Sequence, residues 1–78
     1  MRILFFGHLK DVTACHELVL PRAQADAEEV WRDLIAIYPA LARFRGSVRL
    51  ARNSEFVGPD AIFDGGDEVA LIPPVSGG

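Results

Sequence analysis

The sequence lacks the residues with which small secreted domains build covalent crosslinks. Its 78 residues include one cysteine, Cys15, which has no second cysteine in the chain to pair with. No secretory signal-peptide pattern is present, and no apolar run approaches the roughly 20 residues of a membrane-spanning helix. These absences predict a cytoplasmic protein in a reducing compartment, with no membrane partner and a fold held by its apolar core.

Positive charge is also scarce. The chain has 8 lysine and arginine residues against 11 aspartate and glutamate residues, which gives a net charge of −3. Nucleic-acid-binding domains are usually basic, so this balance argues against a nucleic-acid partner. It favours a partner protein with a basic surface.

Apolar side chains are abundant enough for one small domain. They make up 50% of the sequence, and a chain of this size buries about 60% of its surface on folding. Alternating or continuous apolar runs predict five strands, over residues 1–6, 15–20, 47–52, 55–57 and 69–72. Arg52 breaks the alternation in the third of these. A polar connection is expected over residues 7–14.

One helix is predicted between the second and third strands. Asp26 and Glu29 have the spacing of a capping box at its start, and Pro39 follows its end. The apolar side chains between them share one helical face: Val30, Leu34, Ile37 and Tyr38. A single helix can cover only one face of a sheet, so we expect it to lie across that face.

The first and last strands are the most apolar, which predicts that they are parallel neighbours at the sheet centre. This arrangement is an α+β fold of the β-grasp, or ubiquitin-like, type, with a mixed sheet. If Ile3 and Phe5 face the helix, their neighbours face away, and the outer face carries Leu4, Phe6, Ala70 and Ile72.

The chain ends in a segment with almost no side chains. After the strand come Pro73 and Pro74, which cannot donate to a sheet ladder and favour an extended backbone, and then Val75, Ser76, Gly77 and Gly78. We expect a β-grasp domain over residues 1–72 and a flexible tail over residues 73–78. In one interpretation the terminal carboxylate is the functional group; in the other the glycine tail is idle.

The whole sequence resembles the small, sulfur-carrying subunits of molybdopterin synthase. The resemblance rests on Ile3-Leu4-Phe5-Phe6-Gly7, on the capped helix from Asp26, on Leu50-Ala51-Arg52-Asn53 and above all on the end of the chain. There, Gly66-Asp67-Glu68-Val69-Ala70 is followed by Pro73-Pro74-Val75-Ser76-Gly77-Gly78. Sulfur carriers of the thiamine pathway share the fold and the Gly-Gly end but usually lack the double proline.

The resemblance implies a chemistry for Gly78. A ubiquitin-activating-enzyme-like adenylyltransferase would use ATP to adenylate its carboxylate, and a persulfide sulfur donor would then displace AMP to leave a thiocarboxylate. The large subunit would use such sulfurs to build the dithiolene of molybdopterin from cyclic pyranopterin monophosphate, in a heterotetramer. The carrier would bind no cofactor or metal and would not be catalytic alone, since its partners supply acid, base and oxyanion contacts.

The same resemblance assigns contacts with the large subunit to Phe6, Phe56 and Ile72, which would form an exposed apolar patch. Alternatives remain: a carrier for thiamine or tRNA thiolation, a ubiquitin-like protein modifier, or an interaction module with an idle tail. Cys15 lies close in sequence to His8 and His16, but no third group is evident to orient a catalytic base, and the spacing fits no zinc site.

Overall fold

The last strand of the chain lies at the centre of a five-stranded sheet in the computed structural model, which describes residues 1–74. The elements in chain order are β1 Arg2–Phe5, α1 Leu9–Thr13, β2 Glu17–Val19, β3 Gln24–Asp26, α2 Ala27–Ile37, a 3-10 helix Pro39–Phe44, β4 Arg49–Arg52, β5 Glu55–Phe56, β6 Ile62–Asp64 and β7 Glu68–Ile72. The main sheet has the order β2-β1-β7-β4-β5.

The central pair confirms the predicted topology. β1 and β7 are parallel, with Ile3 opposite Val69 and Phe5 opposite Leu71, whereas β2 and β4 flank them in antiparallel directions. These four paired side chains are at most 2% exposed and form the middle of the core. The architecture is therefore a β-grasp fold, in which β1, β2, β4 and β5 are shorter than the sequence patterns predicted and β7 is one residue longer.

Helix α2 lies against the inner face of this sheet and begins at the predicted capping box. The Asp26 side chain accepts a hydrogen bond from the Glu29 amide at 2.8 Å, and the Glu29 side chain accepts one from the Asp26 amide at 3.1 Å. Ile37, predicted on the apolar face of this helix, has a side chain that is 49% exposed. The buried face is centred between Val30 and Trp31, which places Ile37 at its rim.

The expectation of a polar connection over residues 7–14 is also wrong. Part of this segment forms the five-residue helix α1, in which Leu9 and Thr13 are buried. The Thr13 hydroxyl donates a hydrogen bond to the Leu9 carbonyl at 3.0 Å. One buried leucine and one threonine do not make an apolar stripe, so no periodic pattern indicated this helix.

A second, two-stranded sheet was not predicted. β3 and β6 pair in antiparallel directions, with Ala25 opposite Phe63, and both side chains are buried. Arg52, which breaks the apolar alternation of β4, donates a hydrogen bond to the Ile62 carbonyl at 2.8 Å. The irregular residue in the pattern therefore connects the two sheets.

The turn over residues 64–67 leads into β7 and is held by the Asp67 carboxylate. This carboxylate accepts hydrogen bonds from the Asp64 amide at 2.8 Å and from the Asn53 side chain at 3.1 Å. These two donors, the Asp64 amide first, lower the pKa of Asp67 below its ordinary range. The charged form is therefore favoured in the folded state.

We expect Asp67→Asn to lower the free energy of unfolding at neutral pH. The ionised carboxylate stabilises the fold above the unfolded-chain pKa of about 3.9, and this contribution is lost as the pH falls through the lower folded-state pKa. The difference between wild type and variant should shrink below about pH 4, as measured by urea unfolding at pH 7 and pH 3. An equal difference at both pH values would contradict this role.

None of the helices within residues 1–74 is both long and apolar enough to span a membrane.

Candidate functional site

The outer face of the main sheet, opposite α2, carries apolar side chains at one end. The predicted strand parity is confirmed: Ile3 and Phe5 are buried, whereas Phe6, which follows β1, is 45% exposed. On β7, Val69 and Leu71 belong to the core cluster and Ile72 is half-buried, whereas Ala70, predicted on the outer face, is buried at 8% exposure but lies outside that cluster. Exposed apolar surface at this end of the face is a feature typical of a partner-binding site.

Phe6, Ile72 and Phe56 form what we call the docking patch. The Phe6 amide donates to the Leu71 carbonyl at 3.3 Å, which places Phe6 beside Ile72 on the outer face. Phe56 is 54% exposed on the edge strand β5. Its neighbours across the sheet are small, because Phe56 pairs with Ala51 and Ala51 pairs with Ala70. The structure therefore places all three predicted residues on one surface, and their docking role stays a prediction.

Arg49 joins the separate parts of the docking patch and was not predicted as part of it. It lies opposite Ile72 in the pairing of β4 with β7, and its guanidinium lies 4.0 Å from the centroid of the Phe56 ring. This is the geometry of a cation–π contact, which orders both side chains. The alternation of β4 placed Arg49 on the outer face, but the contact with Phe56 depends on the β4–β5 hairpin.

The opposite end of the outer face is charged. Arg2 forms ion pairs with Glu17 at 3.3 Å and with Glu68 at 3.2 Å, and all three side chains are substantially exposed. Exposed ion pairs contribute little to stability and keep the surface hydrated. The apolar end, next to the end of β7, is therefore the better surface for a partner.

The tail leaves the sheet beside the docking patch. β7 ends at Ile72, and Pro73 is half-buried against Gly7, whereas Pro74 is exposed. Gly7 has a φ of +59°, a left-handed conformation that glycine adopts without strain. The other predicted tail residues, Val75, Ser76, Gly77 and the acyl-carrying Gly78, lie outside the described residues.

Cys15 contacts hydroxyl groups. Its sulfur lies 3.4 Å from the Tyr38 hydroxyl and 3.7 Å from the Thr13 hydroxyl. The hydrogen bond with Cys15, together with burial, raises the pKa of Tyr38. His8 instead stacks edge-on against Phe44, with ring centroids 4.9 Å apart. Within residues 1–74, no three His, Cys, Asp or Glu side chains are grouped to hold a metal ion.

Comparison with known proteins gives the family. Residues 3–78 match the ThiS family. The molybdopterin synthase sulfur carrier subunit of Arabidopsis thaliana is 33% identical over 79 residues, covering 100% of this chain and 82% of that protein. The corresponding subunit of Chlamydomonas reinhardtii is 35% identical over 82 residues, covering 100% of this chain and 98% of that protein.

A solved structure with a similar fold and sequence supports the same family. SAMP1 from Haloferax volcanii, small archaeal modifier protein 1, has a TM-score of 0.82 and 30% sequence identity, and the match covers 100% of this chain and 98% of that one. The chain therefore belongs to the ThiS family, together with the sulfur carrier subunits of molybdopterin synthase.

Proposed function

We propose that this protein is the sulfur carrier subunit of a molybdopterin synthase and that Gly78 carries the sulfur. The observation that supports this most is the position of β7. This one strand contributes Ile72 to the docking patch and continues directly into Pro73 and the tail. A partner bound at the patch would therefore lie where the tail leaves the domain.

The proposed chemistry begins with a carboxylate, which is a poor electrophile. An adenylyltransferase resembling ubiquitin-activating enzymes transfers AMP from ATP to the Gly78 carboxylate and releases pyrophosphate. The terminal sulfur of a persulfide attacks the acyl carbon and AMP leaves. Reductive cleavage of the resulting acyl disulfide by a thiol frees the thiocarboxylate. The persulfide step needs access to the acyl carbon, and glycine has no Cβ to obstruct it.

The partners follow from this chemistry. The large subunit would bind the docking patch, take up the tail and transfer the sulfur to cyclic pyranopterin monophosphate. The small subunit would bind no cofactor of its own, and ATP would be used only by the activating enzyme. Acid, base and oxyanion contacts would come from the two partner enzymes.

A second function, protein modification, is favoured by one comparison. SAMP1, which is 30% identical to this chain, is named a modifier protein. The same activated Gly78 would then form an isopeptide bond with a lysine of a target protein. The two functions share the adenylation step and diverge in the nucleophile that attacks the acyl carbon.

Thiocarboxylate formation is the test of the carrier function. With the activating enzyme of the same organism, ATP and a persulfide donor, intact mass spectrometry should show one oxygen of the chain replaced by sulfur at Gly78. Adding the large subunit and the pyranopterin precursor should then yield molybdopterin and return the carboxylate. Failure to form the thiocarboxylate would contradict the carrier function, and isopeptide-linked Gly78 without molybdopterin would favour the modifier.

A further inference from the structure

We propose that Gly7 is a positioning residue: its bare Cα is a seat for the Pro73 ring, and this contact sets the direction in which the tail leaves the domain. The inference rests on the proposed function, since it concerns how Gly78 reaches an active site. Gly7 belongs to the turn after β1 and makes no contribution to the core or to the docking patch.

The contact is close and specific. A Cβ built on Gly7 would lie 2.9 Å from Cγ and 3.7 Å from Cδ of Pro73. A distance of 2.9 Å between two carbon atoms is well inside their normal separation of about 3.5–4.0 Å. The Pro73 ring therefore occupies space that only a glycine leaves free at position 7.

The backbone around the seat is fixed on both sides. On one side, the Phe6 amide donates to the Leu71 carbonyl at 3.3 Å, and the Gly7 carbonyl accepts from the Lys10 amide at 3.2 Å. On the other, Pro73 has a ring-locked φ, and the following Pro74 restricts its ψ to the extended region. Together with the contact between Gly7 and the Pro73 ring, these restraints leave the backbone at Pro73, which we call the joint, with little rotational freedom.

Direction at this joint matters once a partner holds the tail extended, because a change of angle at Pro73 then displaces the acyl group. Four residue steps from Pro74 to Gly78 span about 14 Å when the tail is extended into a partner. A change of about 30° at Pro73 would move the acyl carbon by roughly 7 Å over that length. Reacting atoms must come within about 3–3.5 Å of each other, so a displaced exit direction would remove most productive encounters.

The substitution Gly7→Ala tests the seat in the full chain, with steady-state thiocarboxylate formation as the readout. We expect kcat to fall about 10- to 100-fold while KM for the carrier stays within about threefold. Gly46→Ala controls for the added methyl group alone, because a Cβ at Gly46 meets no atom within 4 Å. Alanine at the left-handed φ of +59° is itself strained, and this strain is common to Gly7→Ala and to the double variant described next, so comparing those two isolates the ring clash. The double variant Gly7→Ala/Pro73→Ala removes the clash without restoring the seat, so its kcat should lie above that of Gly7→Ala and match that of Pro73→Ala alone.

A purely structural role for Gly7 predicts a different pattern. The proposal would be overturned if the loss of kcat in Gly7→Ala equalled the fraction of that variant found unfolded by urea unfolding. It would also be overturned if the double variant had a kcat no higher than that of Gly7→Ala. If Gly7→Ala does not fold, Pro73→Ala and Pro74→Ala decide, since each removes one proline but only Pro73 contacts Gly7. A larger kcat loss for Pro73→Ala supports the seat; equal losses overturn it.

The seat can also be judged without sulfur chemistry. A nuclear Overhauser effect between the Gly7 Hα and the Pro73 ring protons should be present in the wild-type chain, and its absence would overturn the proposal. If wild type forms no thiocarboxylate with its activating enzyme, the proposed function fails, and this measurement still decides whether the seat exists.

Discussion

Deletion of Gly77 and Gly78 should abolish sulfur transfer and leave the folded domain unchanged. The truncated chain still ends in a carboxylate, that of Ser76, so the loss would not reflect a missing acid. The carboxylate would instead be withdrawn by about 7 Å, the span of two extended residues, and would carry a side chain beside its acyl carbon. A shift of that size exceeds the tolerance for in-line attack several times over.

The measurement has two parts. Intact mass after incubation with activating enzyme, ATP and persulfide donor should show no sulfur on the truncated chain, and no molybdopterin should form with the large subunit. The urea unfolding midpoint should equal that of wild type, since β7 ends at Ile72, before the deleted residues. Wild-type molybdopterin formation by the truncated chain would refute the idea that Gly78 is the reactive group.

A full-length chain prepared chemically with a Gly78 thiocarboxylate provides the positive control. It should support molybdopterin formation without ATP or the activating enzyme. This control separates the activation step from the transfer step. If it too is inactive, delivery of the tail to the large subunit has failed, and the docking patch and the Gly7–Pro73 seat are the features to test.

The parts of the fold that the sequence predicted are those with a strong local signal. Residues 1–6 and 69–72 are nearly continuous apolar runs, which is enough to place β1 and β7 at the sheet centre. Helix α2 has a capping box at Asp26 and an apolar stripe. In these segments the local pattern and the tertiary environment favour the same conformation.

The missed parts depend on contacts between distant residues. β3 and β6 have three residues each, and their pairing brings Ala25 against Phe63 across nearly half the chain. Such short strands have no readable period, and only the closed fold stabilises them. The same holds for the site, because neither the Arg49–Phe56 contact nor the Gly7–Pro73 contact follows from a spacing in the sequence.

Phe56→Ser should weaken binding to the large subunit by roughly 30- to 100-fold. The ring is 54% exposed in the free chain, which corresponds to about 100 Å² of apolar surface that a partner would cover, worth about 2.5 kcal/mol. Aromatic side chains at the centre of an interface often carry this much of the binding energy. The cost to folding should be small, because Phe56 lies on an edge strand and is absent from the core.

A matched control is available on the other sheet. Ile62 on β6 is 49% exposed, so Ile62→Ser removes comparable apolar surface away from the docking patch. Titration calorimetry with the large subunit should give a wild-type Kd for this variant and a raised Kd for Phe56→Ser. Equal affinities of the two variants would contradict the assignment of the patch.

The effects of Phe56→Ser and Gly7→Ala on kcat and KM distinguish a residue that binds the partner from one that positions the tail. Phe56 makes no contact with the reacting atoms in this scheme, so at saturating carrier concentration Phe56→Ser should reach wild-type kcat with a raised KM in molybdopterin formation. Gly7→Ala should give the reverse, a lowered kcat with little change in KM. The docking patch includes Ile72 and the seat includes Pro73, the next residue along the chain. These opposite kinetic effects would show that the patch binds the partner, whereas the seat sets the direction of the tail.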